Sequence, residues 1–201
     1  MRKVFFAVLL GCAFHATAQN LGPEELVRRV TQEVLDAIKG DAELAAGDRQ
    51  KVLRLAEEKV LPHIDFEEAA RLAVGRSWAQ ATPAQRARIV TEFRGMLIRT
   101  YSSAIQAYTG QTLNVLPVRM KPDDTEVTVR NRYIRPGAPP LNIEYQMRKT
   151  PAGWKIYDIV AEGVSLVLTY RSDFDSAVRQ EGVDGLIRRL AEKNAPPKLL
   201  P

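Results

Sequence analysis

The sequence predicts an α+β fold, in which helices pack on an antiparallel sheet of consecutive strands. Apolar residues recur with a helical period over residues 23–108, alternate as in strands over 112–162, and return to the helical period over 164–193. The apolar fraction of 45% and the charged fraction of 26% are those of a soluble globular protein, and 201 residues fall within the size of a single domain. No linker or internal repeat divides the chain.

Capping and stop residues divide the first helical region into four predicted helices. Asp65 with Glu68, and Thr82 with Gln85, have the spacing of capping boxes, in which each side chain bonds the other residue's backbone amide. Proline in the first turn and glycine after the last turn mark other ends. The predicted helices cover residues 23–40, 48–60, 65–75 and 82–110. The fourth carries a wide apolar stripe, which predicts a helix buried along its length.

Alternation of apolar and polar residues predicts a curved four-stranded antiparallel sheet, in which the last strand has apolar residues on both faces. The strands cover residues 113–118, 127–133, 141–148 and 154–160. Short connections rich in Pro, Gly and Asp join them, which indicates a meander with one apolar and one polar face. We expect the helices to cover the apolar face, including a helix that starts after Gly163.

The N-terminus has the layout of a secretory signal peptide. Arg2 and Lys3 precede a short apolar run that ends at Ala16-Thr17-Ala18, an A-x-A cleavage site. The sequence therefore predicts a signal peptide over residues 1–18, export to the periplasm, and a single domain over 19–201. Two alternatives stay open: the run could be a core helix, or Leu9-Leu10-Gly11-Cys12 could be a lipobox that makes Cys12 the lipidated N-terminus.

Composition excludes several classes of function. Cleavage after residue 18 removes Arg2, Lys3 and the sole cysteine, Cys12, which leaves 27 basic and 24 acidic residues and a net charge of +3. A cysteine-free chain has no thiol nucleophile and no disulfide. No block of Lys and Arg indicates nucleic-acid binding. His63, the one histidine left, follows Pro62 and is interpreted as a surface residue, so we predict no metal and no cofactor.

Asp158 is the one carboxylate that could serve catalysis. It lies in the last predicted strand, and strict alternation places it on the same face as Trp154 and Ile156. A half-buried carboxylate in a cleft could act as a general base. We favour a structural role, either a salt bridge to arginine or a hydrogen bond at the strand end, because no second catalytic group can be named. The prediction is that the protein is not an enzyme.

Two blocks of sequence resemble the MlaC, or toluene-tolerance, family of periplasmic phospholipid-binding proteins. The first contains residues 75–78, 82–86 and 93–101, and the second reads Gly153-Trp154-Lys155-Ile156-Tyr157-Asp158-Ile159, then residues 162–167 and 170–174. The resemblance implies helices packed on a curved sheet that encloses a deep apolar lipid pocket. It also implies a carrier that shuttles phospholipid between an outer-membrane lipoprotein and porin complex and an inner-membrane ABC transporter with a membrane-anchored ring subunit. Such transport maintains the lipid asymmetry of the outer membrane.

A pocket between the fourth helix, the sheet and the helix after Gly163 follows from which apolar residues share a face. The sequence leaves open a hopanoid or other lipid as cargo, and a cone-shaped enzyme related to nuclear transport factor 2 that would use Asp158 with Tyr101 or Tyr145. We expect a monomer with no bound cofactor other than its lipid. The predicted lipid-binding residues are Leu97, Tyr101, Ile105, Tyr108, Ile143, Tyr145, Tyr157, Ile159, Val164, Leu166, Val167 and Tyr170.

Overall fold

A computed structural model describes residues 21–106, 112–134 and 137–195 of the chain. Predictions for residues 1–18, including the signal peptide, lie outside the described residues. No helix within the described ranges is long and apolar enough to cross a membrane. The α-helices are α1 Pro23–Gly40, α2 Ala42–Ala45, α3 Arg49–Leu55, α4 Phe66–Val74, α5 Pro83–Gln106 and α6 Arg171–Asn194. Tighter or wider helical turns cover Ala56–Val60, Leu61–His63, Gly75–Gln80 and Leu168–Tyr170.

The predicted capping residues start the helices where the sequence places them. The Asp65 carboxylate accepts the amide of Glu68 at 3.0 Å at the start of α4. The reciprocal bond of the predicted capping box is not formed, because the Asp65 amide donates to the carbonyl of Ile156 and the Glu68 carboxylate bonds arginines. Before α5, the Thr82 amide donates to the Gln85 side chain at 3.0 Å, and the Gln85 amide donates to the Thr82 hydroxyl at 3.3 Å. Both pairs satisfy amides that a helix N-terminus leaves without partners, so the local sequence determines these two ends.

One sheet of consecutive antiparallel strands follows the first five helices, and the predicted α+β class is confirmed. The strands are β1 Thr112–Val115, β2 Glu126–Ile134, β3 Leu141–Thr150, β4 Gly153–Ala161 and β5 Val164–Ser165, in that order across the sheet. The prediction of four strands is wrong by one. Val164 begins the short strand β5 instead of a helix, because Glu162 and Gly163 both have positive φ and reverse the chain after β4.

The described apolar side chains form two separate cores. The helical core contains side chains of α4, α5 and α6, with Ile89, Phe93 and Leu186 almost fully buried. The sheet core joins the apolar face of β1 to β4 with Leu26 and Val27 of α1. We expected all the helices to cover this face. Among the described residues, α1 is the helix whose side chains belong to the sheet core, so the expectation is wrong for the other helices.

An irregularity in the pairing of β3 with β4 reverses the faces predicted for part of β4. Gln146 pairs with Asp158, whereas the next residue, Met147, pairs with Ile156, which leaves Tyr157 as an extra residue in a β-bulge. Paired residues project to the same face, and adjacent residues project to opposite faces. Asp158 therefore lies on the opposite face from Ile156, and the predicted shared face for Asp158, Trp154 and Ile156 is wrong.

Candidate functional site

Four predicted pocket residues lie together on the apolar face of the sheet. Tyr145 pairs with Ile159, and both Ile143 and Val164 pair with Ala161. These side chains form one continuous surface across β3, β4 and β5, because paired residues share a face and residues two apart along a strand do too. Ile143, Tyr145 and Ile159 are half-buried, whereas Val164 is 58% exposed at the edge.

The bulge removes Tyr157 from this surface. Ile159 pairs with Tyr145 on the apolar face, and the extra residue places Tyr157 with the opposite, polar face. Burial raises the pKa of the Tyr157 hydroxyl, and the nearby carboxylates of Glu126 and Glu68 raise it further. The sequence-based expectation that Tyr157 and Ile159 share a face is therefore wrong.

Two predicted residues of α5 lie at the helical core. Leu97 packs against its edge, and the half-buried Tyr101 forms a side-chain hydrogen bond with Tyr170. Burial is the main cause that raises the pKa of the Tyr101 hydroxyl, and the bond to Tyr170 adds to it. The side chain of Ile105 and the whole of Tyr108 lie outside the described residues. Their part in a pocket wall stays a prediction.

The predicted residues after Gly163 have three different environments. Leu166 is half-buried, and its amide donates to the carbonyl of Ile159 at 2.8 Å, which continues the pairing of β5 with β4. Val167 is only 4% exposed and belongs to the helical core, although the sequence suggested the mouth of a pocket. Tyr170 is half-buried at the start of α6.

Tyr170 is part of an aromatic cluster that joins α5 to α6. Its ring stacks on Phe174 with a centroid distance of 5.7 Å and meets Phe93 edge-on at 5.6 Å. Phe93 also meets Phe174 edge-on at 5.3 Å. These geometries are favourable for aromatic pairs. The cluster fixes the ring of Tyr170 and, through the hydroxyl, the position of Tyr101.

Asp158 holds the segment that follows β4. Its Oδ1 atom accepts the amides of Ile159 at 2.8 Å and Val167 at 3.2 Å, and its Oδ2 atom accepts the hydroxyl of Ser165 at 2.5 Å. Burial raises the pKa of this carboxyl, and the three hydrogen bonds oppose that rise. Both oxygens are thus engaged by the chain itself. The arrangement matches the structural interpretation, a hydrogen bond at the strand end.

One polar side chain on the apolar face was missed in the sequence. Asn131 is 1% exposed and lies on β2 between Val129 and Tyr133, so it occupies a position where the alternation demands an apolar residue. The hydroxyl of Tyr133 lies 2.9 Å from that of Tyr145. The misplaced polar residue at 131 was the signal available in the sequence.

Two surface clefts are present elsewhere on the molecule. A cleft of about 470 Å³ lies against α4 and α5, lined by Glu57, Leu61, Pro62, Phe66, Val90, Thr91 and Arg94. A cleft of about 440 Å³ lies beside β2, lined by Leu116, Pro117, Val118, Arg119, Asp124, Glu126, Val127, Thr128 and Arg130. Neither cleft contains a predicted lipid-binding residue.

The predicted site residues that the structure describes are apolar and aromatic side chains. No group of three or more His, Cys, Asp or Glu side chains that could bind a metal occurs among the residues described. His63 is partly buried, and burial lowers its pKa, with the charges of Lys155 and Arg29 lowering it further. The geometry supplies a half-buried apolar surface on the sheet and, in the separate helical core, an aromatic cluster. The described residues thus form an α+β protein with a half-buried apolar surface on its sheet.

Comparisons with known proteins agree with this class. The family model described as MlaC protein matches residues 28–192, and the chain belongs to the MlaC family. A solved structure of a phospholipid-binding protein from Ralstonia solanacearum, in complex with a phospholipid, is 38% identical and superimposes with a TM-score of 0.78, covering 87% of this chain and 97% of that one.

Two curated relatives are more distant in sequence. The intermembrane phospholipid transport system binding protein MlaC of Haemophilus influenzae is 20% identical over 178 residues, which cover 87% of this chain and 83% of that protein. The toluene tolerance protein ttg2D of Pseudomonas putida is 23% identical over 185 residues, covering 88% and 82%. The resemblance read from the sequence motifs is thereby confirmed at the level of the family.

Proposed function

We propose that this protein is an exported carrier that binds a phospholipid by its acyl chains and moves it through the periplasm. The observation that carries the proposal is the match over most of both chains to a relative solved with a phospholipid bound. Removal of residues 1–18 as a signal peptide would release the domain as a soluble carrier. The partners we propose are the outer-membrane lipoprotein and porin complex and the inner-membrane ABC transporter of the MlaC pathway.

The energetics of transport explain why an apolar surface is needed. A diacyl lipid has roughly 30 methylene groups, and at about 0.8 kcal/mol each their exposure to water would cost more than about 20 kcal/mol. A carrier must therefore enclose the chains in apolar surface. The proposed wall is the surface of Ile143, Tyr145 and Ile159 on the apolar face of the sheet.

No chemical step is part of this proposal. Lipid transfer breaks no covalent bond, so it needs no nucleophile and no general base. The alternative enzyme would use Asp158, whose two carboxylate oxygens accept hydrogen bonds from Ile159, Val167 and Ser165. That engagement favours the carrier over the enzyme. No contact among the described site residues favours a hopanoid over a phospholipid.

Two adjacent residues of β4 provide a matched test. Ile159 faces the apolar surface, and Val160 faces the polar side, where it pairs with Glu144. Ile159→Lys would place a charge against the acyl chains, because an unpaired charge in an apolar site costs several kcal/mol. Val160→Lys adds the same charge opposite a carboxylate and should be tolerated.

The measurement is solvent extraction of the purified protein followed by mass spectrometry of the lipid. We expect phospholipid with the wild-type protein and with Val160→Lys, and a loss of at least tenfold with Ile159→Lys at unchanged circular dichroism. Wild-type protein that carries no lipid after expression in a Gram-negative host, and takes up none from phospholipid vesicles, would contradict the proposed function.

A further inference from the structure

The apolar face of the sheet contains a polar cluster, which consists of Asn131, Tyr133 and Tyr145. Tyr133 pairs with Leu141 in the register of β2 with β3, and Tyr145 pairs with Val129. The two tyrosines therefore lie two positions on either side of Asn131 along the strands. Their hydroxyl oxygens nevertheless approach to 2.9 Å, so the two rings lean towards each other across the row that contains Asn131.

This cluster has hydrogen-bonding capacity that the described residues do not use. The Asn131 Nδ2 atom reaches the carbonyl of Val129 only at 3.5 Å, and its Oδ1 atom has no partner among the described residues. Tyr133 also hydrogen-bonds the side chain of Thr31 on α1. The hydroxyls of Thr31, Tyr133 and Tyr145 form a chain. The Tyr145 hydroxyl is its last member, so at least one of its donor or acceptor positions is not used by this chain.

An unused polar group inside an apolar wall costs stability unless something pairs with it. Leucine has nearly the size of asparagine and would complete the apolar alternation at position 131 without leaving an unpaired amide. A polar residue kept at such a position is expected where a ligand uses it. Tyr145 is half-buried and adjoins Ile159 on the proposed lipid wall, and its hydroxyl reaches along that face of the sheet towards Tyr133.

We propose that the polar cluster hydrogen-bonds an oxygen atom in the inner part of the cargo, and that it makes the protein selective for lipids that carry one. Two kinds of lipid oxygen atom would form this hydrogen bond. The carbonyl of an acyl ester would accept the Tyr145 hydroxyl, and a hydroxyl group on an acyl chain would also donate to Asn131 Oδ1 once the Tyr133–Tyr145 bond opens. The inference rests on the proposed function, because it assigns the cluster to the same lipid site.

Competition between matched lipids tests the proposal and separates the two kinds of oxygen atom. The mature protein is incubated with vesicles that contain equal amounts of two phosphatidylglycerols, and the bound lipids are quantified by mass spectrometry. One arm compares ester-linked with ether-linked oleoyl-length chains. The other arm compares ester-linked oleoyl chains with chains that carry a hydroxyl, using several positional isomers.

Three variants accompany the wild-type protein. Tyr145→Phe removes the hydroxyl that bonds Tyr133 and keeps the ring, and Asn131→Leu removes the amide whose oxygen has no partner among the described residues. Tyr157→Phe is the matched control, because it removes a hydroxyl from the opposite face of the sheet. The expected wild-type preference for the oxygen-bearing lipid is about three- to tenfold in at least one arm, the value of one net hydrogen bond. It should fall to near unity in Tyr145→Phe or Asn131→Leu and persist in Tyr157→Phe.

Thermal unfolding of the lipid-free protein provides a second readout. If Asn131 is kept for binding, Asn131→Leu unfolds at the same or a higher temperature than wild type; if it is only structural, that variant unfolds earlier and keeps the lipid preference. Equal loading of both lipids in both arms overturns this inference and leaves the proposed function standing. Loading of neither lipid overturns the proposed function itself.

Discussion

Replacing Asp158 with alanine should loosen the segment that follows β4. The substitution removes the acceptor for the amides of Ile159 and Val167 and for the hydroxyl of Ser165. Hydrogen bonds to a charged group contribute about 1.5–3 kcal/mol each, and a buried donor left unpaired adds to the loss. Because the pKa of Asp158 is raised on balance, desolvation of the carboxylate outweighs the charge-dependent part of these bonds, and the loss comes mainly from the donors left unpaired. We expect the free energy of unfolding to fall by about 3–4 kcal/mol at pH 7.

Asparagine at the same position separates geometry from charge. Its side-chain oxygen can still accept both amides, and only the charged contact with the Ser165 hydroxyl is lost. Asp158→Asn should therefore cost about 1 kcal/mol. Chemical denaturation followed by circular dichroism measures both variants. An alanine variant within about 0.5 kcal/mol of wild type, or an asparagine variant as unstable as alanine, would refute the role assigned to these hydrogen bonds.

The difference in stability between wild type and Asp158→Asn should change with pH in a definite direction. Burial raises the pKa of Asp158 in the folded protein above its ordinary value, so the folded state binds the proton more tightly than the unfolded state does. Stability contributed by this group is therefore present below the unfolded pKa and lost as pH rises through the folded pKa. Wild type should gain stability relative to Asp158→Asn as pH falls from 7 towards 4. If wild type lost stability relative to Asp158→Asn as pH falls, the raised pKa of Asp158 would be contradicted.

Three further substitutions test the packing around the site. Phe93→Ala, which deletes the ring at the centre of the helical core, should lower the free energy of unfolding by about 3–5 kcal/mol in chemical denaturation. Arg148→Met breaks the 2.6 Å ion pair with Glu68 and should lower the free energy of unfolding by about 1–2 kcal/mol at pH 7. The pKa of Glu68 is lowered, chiefly by its bond to Arg71, so the loss should become smaller as pH falls through that lowered pKa. Gly75→Ala should lower the melting temperature by several degrees because φ is +64° and a guanidinium lies 2.9 Å from the added carbon, whereas Gly22→Ala, with nothing within 4 Å, should not.

Local chemistry made the helix starts and the strands predictable. Asp65 and Thr82 cap helices through residues three positions away, and such contacts depend on a few neighbouring residues. The alternation in β2 and β3 likewise depends on the chain itself. The family motifs, such as the one around Asp158, are also short stretches of sequence. The family and the fold class could therefore both be predicted from one sequence.

The candidate site was less predictable because it depends on pairing between strands. Ile143 and Tyr145 were correctly placed on one face, since β3 alternates regularly. Ile159 joins Trp154 and Ile156 on that face only through the bulge, whereas strict alternation had placed it on the other face. Tyr157 was wrongly placed on the same face as Ile159, because a single extra residue in β4 reverses the alternation and leaves no mark in the composition of the strand. Whether these side chains touch lipid stays a prediction.

The sequence by itself determined the order of elements, most of their ends, the absence of a thiol or metal motif from residues 19–201, and the family. Tertiary structure alone decided that Val164 starts a strand, that Val167 enters the helical core, and that Asn131 is enclosed beneath two tyrosines. The physical reason is the sequence separation of the interacting residues. Caps and periodicity arise from residues a few positions apart, whereas register, bulges and burial depend on which distant segments pair and pack.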